Sequence, residues 1–275
     1  MRWLPVLLFA CACGDTQDSD LDGDGLRDEE DDCVDGFPDR VLDLDFDGKE
    51  ADVDLCPHDQ NAAAGDTDLD GIPDACDPFI AMNQPDTRRC ITSFQVRWMN
   101  AAYLIARHDE TPWTLGPEGG LVATAAQTVS TVSDFPVTYR SATFDVLASV
   151  KFGSQNAASS FRVWLRAIRE QPTNQDVACG VSGDGKLWVW ADNARHSIVD
   201  LPAPLPPEGG VIRLRSTVQP GTGSTILCRA SVAGVSIATT YGTLIKDGLY
   251  GFSSIATDVR VESMVIDTND AAPQF

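Results

Sequence analysis

The stretch "DTDLDGIPDACDP", residues 66–78, places carboxylates at every second position, Asp66, Asp68 and Asp70, then Gly71, then further acids at Asp74 and Asp77. Like charges crowded into one loop repel unless a hard cation sits among them, and Ca²⁺, which takes about six to eight oxygen ligands, inverts that local electrostatics. With Asp66 as position 1, acids stand at positions 1, 3, 5, 9 and 12, a glycine at 6 and the Ile72 carbonyl at 7. This is the ligand spacing of a calcium loop. The pattern recurs twice upstream. "DLDGDGLRDEEDDC" supplies Asp20, Asp22, Asp24, the Leu26 carbonyl, Asp28 and Asp31 in the same register, with Gly25 at the turn. "DLDFDGKEADVDLC" supplies Asp43, Asp45, Asp47, the Lys49 carbonyl and Asp54, with Gly48 at the turn and Ala51 at position 9, where a water has to substitute. Cys33, Cys56 and Cys76 follow close behind the three loops.

The flanks of these loops decide their kind. An EF-hand needs an amphipathic helix on each side, but "CGDTQ", "CVDGFPD" and "CPHDQNAAAG" put Pro and Gly where helices would run. Residues 18–78 resemble thrombospondin type 3 repeats, whose D-x-D-x-D-G-x-x-D pattern followed closely by Cys is matched over this span. The resemblance implies irregular, calcium-bound, disulfide-linked repeats with almost no core of their own. Composition points the same way. Residues 15–78 hold 24 acidic and 3 basic side chains, net −21, whereas residues 79–275 are nearly neutral. Only 12 of those 64 residues are large and apolar, too few to offset chain entropy by burial. Metal and disulfides must replace the core, or the segment is an acidic, unstructured linker.

The start, "MRWLPVLLFACACGD", has one basic residue, a short apolar run and a small residue before Cys, and is too short to span a bilayer. It resembles a bacterial lipoprotein signal, which implies cleavage before a lipidated cysteine, Cys13 or Cys11. Cleavage at Cys13 leaves six cysteines, Cys33, Cys56, Cys76, Cys90, Cys179 and Cys228, an even number for an oxidising compartment. Six cysteines allow 15 pairings; proximity and domain favour Cys33–Cys56, Cys76–Cys90 and Cys179–Cys228. Residues 1–13 are thus read as the signal, 14–78 as the calcium-binding repeats, 79–89 as a linker and 90–275 as a second domain. The expected location is the bacterial outer membrane or cell surface, reached by secretion and held through the lipid anchor.

The second domain repeats with a period of two, not 3.6. "SATFDVLASVKF", "SSFRVWLRAI", "KLWVWAD", "GVIRLRSTV", "STILCRASV" and "DVRVESMVID" alternate, and turn signals such as "SGDG", "PEGG" and "KDG" divide them. Many short strands predict an all-β, antiparallel sandwich. The order of elements, an early "W-x-L-x-x-x-G-G-L" at Trp113–Leu121, long alternating strands and a closing "GLYGFSS", looks like a concanavalin A-like, laminin-G-type jelly roll. In thrombospondins a lectin-like globe of this fold also follows the type 3 repeats. The resemblance implies a fold and transfers no binding residue.

Glucanases of this fold carry two or three acids on one strand at E-x-D-x-x-E or E-x-D-x-E spacing, because retaining hydrolysis needs two carboxylates about 5 Å apart. No such spacing occurs after residue 90, where Asp145, Glu170, Asp184, Asp192, Glu208 and Glu262 are scattered singly. "GVSGDGKL" puts Leu187 where a phosphate loop needs Ser or Thr and reads as a hairpin turn. A non-enzyme is expected, and the acidic repeats with no basic run disfavour nucleic acid. A ligand surface is the remaining expectation. Arg162, Trp164 and Arg166 share one strand face, Trp188 and Trp190 another, Arg213 and Arg215 a third. Aromatic plates beside guanidinium groups suit carbohydrate rings bearing acidic groups. The expected function is calcium-dependent adhesion or glycan binding, toward a carbohydrate or a surface protein.

Overall fold

The strands predicted from the alternation are present in the computed structural model of the chain, which describes residues 43, 45–49, 53–60, 65–69, 71–77, 87–92, 104–106, 113–116, 120–125, 128–133, 142–167, 176–219, 224–243 and 249–268. Among these residues there is no helix. The signal with Cys11 and Cys13, the first acidic loop (Asp20, Asp22, Asp24, Leu26, Asp28, Asp31), Cys33 and Asp70 lie outside them.

Two antiparallel sheets form the second domain. One contains β1 (Thr87–Thr92), β3 (Thr114–Leu115), β4 (Leu121–Ala123), β6 (Ala142–Phe152), β11 (Gly210–Gln219), β12 (Ser224–Val232), β13 (Val235–Thr243) and β15 (Thr257–Thr268). The other contains β2 (Leu104–Ala106), β5 (Thr128–Ser133), β7 (Ser160–Ala167), β8 (Val177–Ser182), β9 (Lys186–Ala191), β10 (Ala194–Asp200) and β14 (Leu249–Ile255). Their orders are β13-β12-β11-β6-β15-β4-β3 and β10-β9-β8-β7-β14-β5-β2. Strand β15 is long enough to pair β6 along one side and, along the other, β4 at Val259–Val261 and β1 at Met264–Thr268. Strand β1 therefore begins at Thr87, inside the stretch expected to be linker.

Alternation decides the inner faces. Phe144, Val146, Ala148 and Val150 of β6, Ile212 and Leu214 of β11, and Ile226 and Ala230 of β12 meet Phe161, Val163, Val181, Leu187, Val189 and Phe252 from the facing sheet. Trp113 is buried between Phe161 and Phe252, its ring centroid 6.1 and 5.8 Å from theirs. A register shift between Val261 and Ser263 turns Ser263 to the outer face beside Leu147, while Met264 and Ile266 return to the core. Cys179 of β8 and Cys228 of β12 are joined, as expected, and the bond staples sheet to sheet inside the core.

The other expected pairings are corrected. Cys56 pairs with Cys76, in place of Cys33–Cys56 and Cys76–Cys90, with Cα atoms 5.6 Å apart. The middle and third loops each close on themselves, and the cysteine after the middle loop meets the one at the end of the third. Together with Ile72 they make a small buried cluster. Cys90 lies in β1.

The Cys179–Cys228 bond closes a loop 49 residues apart in sequence. Replacing both cysteines by Ala is expected to cost about 2–5 kcal/mol, read as a lowered thermal midpoint with the β-sheet circular dichroism retained at low temperature.

Candidate metal loops and ligand surfaces

The middle and third acidic loops share one backbone form. Position 4 is left-handed in both, Phe46 and Leu69 each at φ 65°, and position 6 likewise, Gly48 at φ 93° and Gly71 at φ 94°. A large side chain in this region is strained, and both project into solvent, 82% and 84% exposed. The strained turn aims the chain at position 1. Gly48 N–H donates to Asp43 Oδ2 at 2.7 Å, and Gly71 N–H donates to Asp66 Oδ2 at 3.0 Å. Asp47 N–H donates to Oδ1 of both Asp43 and Asp45 at 3.1 Å.

These bonds gather the acids. Carboxylate oxygens of Asp43, Asp45 and Asp47 lie within 4.8 Å of one another. Burial first, then the charges of Asp54, Asp47 and Asp43, push the Asp45 carboxyl up to about 6. Position 3 carries the clearest signal: Asp45 Oδ2 and both oxygens of Asp68 are buried with no hydrogen-bond donor among the described residues. A buried acceptor without a donor is costly. Position 12 is buried in both loops, as Asp54 and Asp77. Lys49, expected to offer its carbonyl, also lays its ammonium 3.1 Å from Asp47 Oδ2 and 4.0 Å from Asp54 Oδ1. One exposed lysine does not satisfy three converging acids, and an all-oxygen donor set of this kind fits a hard divalent cation. Asp74 differs from its neighbours: its two oxygens accept from Thr67 N–H and Oγ1–H, both at 2.8 Å, closing the third loop.

The turn that follows the middle loop rests on the sandwich. His58 and Asp59 reach the outer face of the eight-stranded sheet, where Asp145 of β6 faces Arg215 of β11 in register and Arg215 faces Arg229 of β12. Arg213 Nη2 meets Asp145 Oδ2 at 2.5 Å and Asp59 Oδ2 at 2.9 Å, its Nη1 donates to the His58 carbonyl at 2.8 Å and to Asp59 Oδ1, and Arg215 Nη2 meets Asp145 Oδ2 at 2.8 Å. His58 lies with Nδ1 3.5 Å from Asp145 and Nε2 2.8 Å from the Ser263 hydroxyl. Burial alone raises a carboxyl, but the charges of Arg213 and Arg215, with hydrogen bonds from Arg213 and His58, hold Asp145 well below the usual carboxylate range. Burial likewise lowers a guanidinium, but Asp145 and Asp59 hold Arg213 above its ordinary value.

The expected sugar-stacking residues also come together, from two strands, on the outer face of the seven-stranded sheet. Trp164 and Trp190 both pair Ala178, and Arg162 and Trp188 both pair Gly180. A Cβ on Gly180 would stand 2.3 Å from the Trp188 ring, so only glycine lets the indole lie flat there. The Arg162 guanidinium sits 4.7 Å from the Trp190 ring centre, 5.3 Å from Trp188 and 5.8 Å from Trp164, and Arg195 sits 4.4 Å from Trp188. Trp188 N–H donates to Ser182 at 3.1 Å. Trp164 and Trp188 are buried and Trp190 is half-buried, so the aromatic plates are taken up by guanidinium groups of the chain itself. Arg166 lies on β7, one register shift beyond Trp164.

Solved structures place this architecture. Arcelin-5, a lectin-like defense protein from Phaseolus vulgaris, superimposes with a TM-score of 0.52 at 10% identity over 68% of this chain and 99% of that one. The sandwich is a legume-lectin-like jelly roll. A lectin from Bauhinia forficata in complex with GalNAc matches at TM-score 0.49 and 10% identity over 66% and 99% of the two chains. The exoplasmic/lumenal domain of VIP36, in a Ca²⁺/Man3GlcNAc-bound form, matches at TM-score 0.48 and 8% identity over 66% and 90%. No protein-family model matches the sequence, and no curated protein matches it. At such identities the likeness is one of fold.

The alternation points to Arg213 and Arg215 as a face, but their partners are beyond it: Asp145 stands among scattered acids, and no local pattern singles out His58. Opposite charges at outward positions of two alternating strands were the available signal. Because Asp145 has a lowered folded pKa, it stabilises the fold fully above the unfolded carboxyl value of about 4, and that stability is lost as pH falls below it. Arg213→Ala leaves Asp145 buried with half its counter-charge and is expected to cost about 3–5 kcal/mol. Denaturant titrations at neutral and acid pH check both: the deficit of the variant should shrink as pH falls.

Proposed function

We propose that the protein is a secreted, calcium-binding surface protein whose lectin-like sandwich binds carbohydrate, with adhesion as its role. In this reading Asp43, Asp45, Asp47 and Asp54 hold one ion with the Lys49 carbonyl, Asp66, Asp68, Asp70 and Asp77 hold a second with the Ile72 carbonyl, and the 20–31 loop holds a third. The observation that carries it is the shared form of the middle and third loops, in which position 3 holds a buried carboxylate oxygen with no donor to meet it among the described residues. A bound ion supplies the positive charge those oxygens lack. The chain's own residues do the rest: the left-handed Phe46 and Leu69 turns orient the acids, and Cys56–Cys76 holds the two loops together. Lipidation at Cys13 or Cys11 would tether the chain to the outer membrane or cell surface, with the calcium-bound repeats, residues 14–78, as the spacer.

The lectin-like fold supports a carbohydrate ligand. An enzymatic role has less support, since Asp145, a buried acid of the sandwich, is neutralised by two guanidinium groups. A second reading, a structural envelope protein, is favoured by the burial of Trp164 and Trp188.

Calcium calorimetry on the full chain, followed by a glycan array with and without chelator, tests the proposal. Asp45→Ala and Asp68→Ala are each expected to remove about one ion from the stoichiometry and to leave the remaining sites titrating. Full stoichiometry and unchanged affinity in both variants would sink the metal assignment. A silent array in the presence of calcium would favour the structural reading.

A further inference from the structure

The turn at residues 56–60 does not lie flat on the sandwich. Between it and the outer face of β11 and β12 is an open cavity of about 450 Å³, lined by His58, Asp59, Gln60, Arg213, Arg215 and Arg229, and also by the exposed hydroxyl pair Ser231 and Ser236. Three guanidinium groups face two carboxylates, Asp59 and Asp145, so the cavity keeps one uncompensated positive charge among the described groups. The surplus is located. Arg213 spends its donors on Asp145, Asp59 and the His58 carbonyl. Arg215 commits Nε and Nη2 to Asp145 and Asp59, while its Nη1, and the whole guanidinium of exposed Arg229, have no acceptor among the described residues. Burial, then the charges of Arg215 and Arg213, push Arg229 below its ordinary value against the opposing pull of Asp59 and Asp145.

We propose that this cavity, at the junction of the acidic loops and the sandwich, binds a single anionic substituent, a carboxylate or sulfate ester, of an acidic sugar, with Arg215 Nη1 and Arg229 as its donors. The proposal rests on the carbohydrate reading above and names the class of sugar. A planar or tetrahedral oxyanion suits two guanidinium groups side by side, and Ser231 and Ser236 offer neutral partners for ring hydroxyls. The surrounding loops are strongly acidic and repel a charge-dense polyanion, so the ligand is a glycan with sparse acidic residues. The wall of the cavity is tied to the middle loop: Gln60 Nε2 donates to the Phe46 carbonyl at 2.7 Å, and Asp59 N–H to the Cys56 carbonyl at 2.9 Å. Ordering of the loop by calcium therefore sets the shape of the site.

Calorimetry on the full chain compares a glucuronate-terminated trisaccharide, its sulfated counterpart and its neutral counterpart, each with calcium and with chelator. The expected result is binding of the acidic sugars, weaker by about ten-fold or more for the neutral one, weakened by salt and by chelator. Arg229→Ala should lower affinity for the acidic sugars by about ten-fold and Arg229→Lys by less, both with the calcium isotherm of the parent. Preference for the carboxylate or for the sulfate arm identifies the group. Neutral sugar bound as tightly as acidic, or Arg229→Ala without effect, overturns the site while leaving a sugar-binding sandwich in place. No sugar of any kind bound overturns the site and the carbohydrate reading together, and the calcium isotherm then stands alone.

Discussion

The charge network around Asp145 is the constraint on which the relation of the two parts depends. A carboxylate removed from water is tolerated only when its counter-charges and hydrogen bonds are complete. Strand β6 supplies Asp145, strand β11 supplies Arg213 and Arg215, and the turn after the middle acidic loop supplies Asp59 and His58. Neither the sandwich nor the loop holds the full set. Without the turn, two arginines face one aspartate on an open sheet; without the sheet, Asp59 and the His58 carbonyl lose the donors they meet. The pairing fixes how the loop sits on the sandwich, and it does so through directional bonds that a plain apolar contact would not provide.

The acidic loops have almost nothing else to hold them. Their buried apolar cluster is Cys56, Ile72 and Cys76. Order therefore comes from the disulfide, from backbone N–H bonds to the position 1 carboxylates, and from whatever charge is placed among Asp43, Asp45 and Asp47. Carboxylates that converge this closely raise one another's affinity for a cation of any kind, proton, lysine or metal. Lys49 reaching back to Asp47 is the chain's own partial answer. The five-residue separation of Asp54 and Asp59 means that charge added in the loop is felt by the turn that docks on Arg213.

Period-two alternation made the sandwich legible, because each core strand buries one face against the other sheet and shows the second face to another environment. The acid register singles out the middle and third loops, which share one backbone form with left-handed residues at positions 4 and 6. What could not be read were pairings between strands remote in sequence. Asp145 and Arg215 are 70 residues apart, and nothing local to "TFDVL" or "IRLRS" says that β6 and β11 are neighbours. Cys56–Cys76 was hidden similarly, since proximity along the chain favours a bond across the middle loop, while the folded loops bring together the cysteines on the far side of the third. Strand β1 starts at Thr87, inside the expected linker, because it takes its ladder from the edge of β15.

The Trp/Arg face shows why residue type alone underdetermines role. The alternation in "FRVWLRA" and "KLWVWA" correctly put Arg162, Trp164, Trp188 and Trp190 on one side of their strands, and an aromatic plate beside a cation is what a sugar site requires. It is also what a self-satisfied cation–π stack requires. Gly180 decides between them: by leaving room for the Trp188 ring to lie over the sheet, it lets Arg162 and Arg195 cover the indole from within the chain. A guanidinium already resting on aromatic rings has little to gain from a ligand on those faces, whereas Arg229 rests on none among the described residues and has Arg215 and Arg213 as charged neighbours. Of the two arginine-bearing faces, the one whose guanidinium groups crowd one another is therefore the one whose free energy an incoming anion can lower.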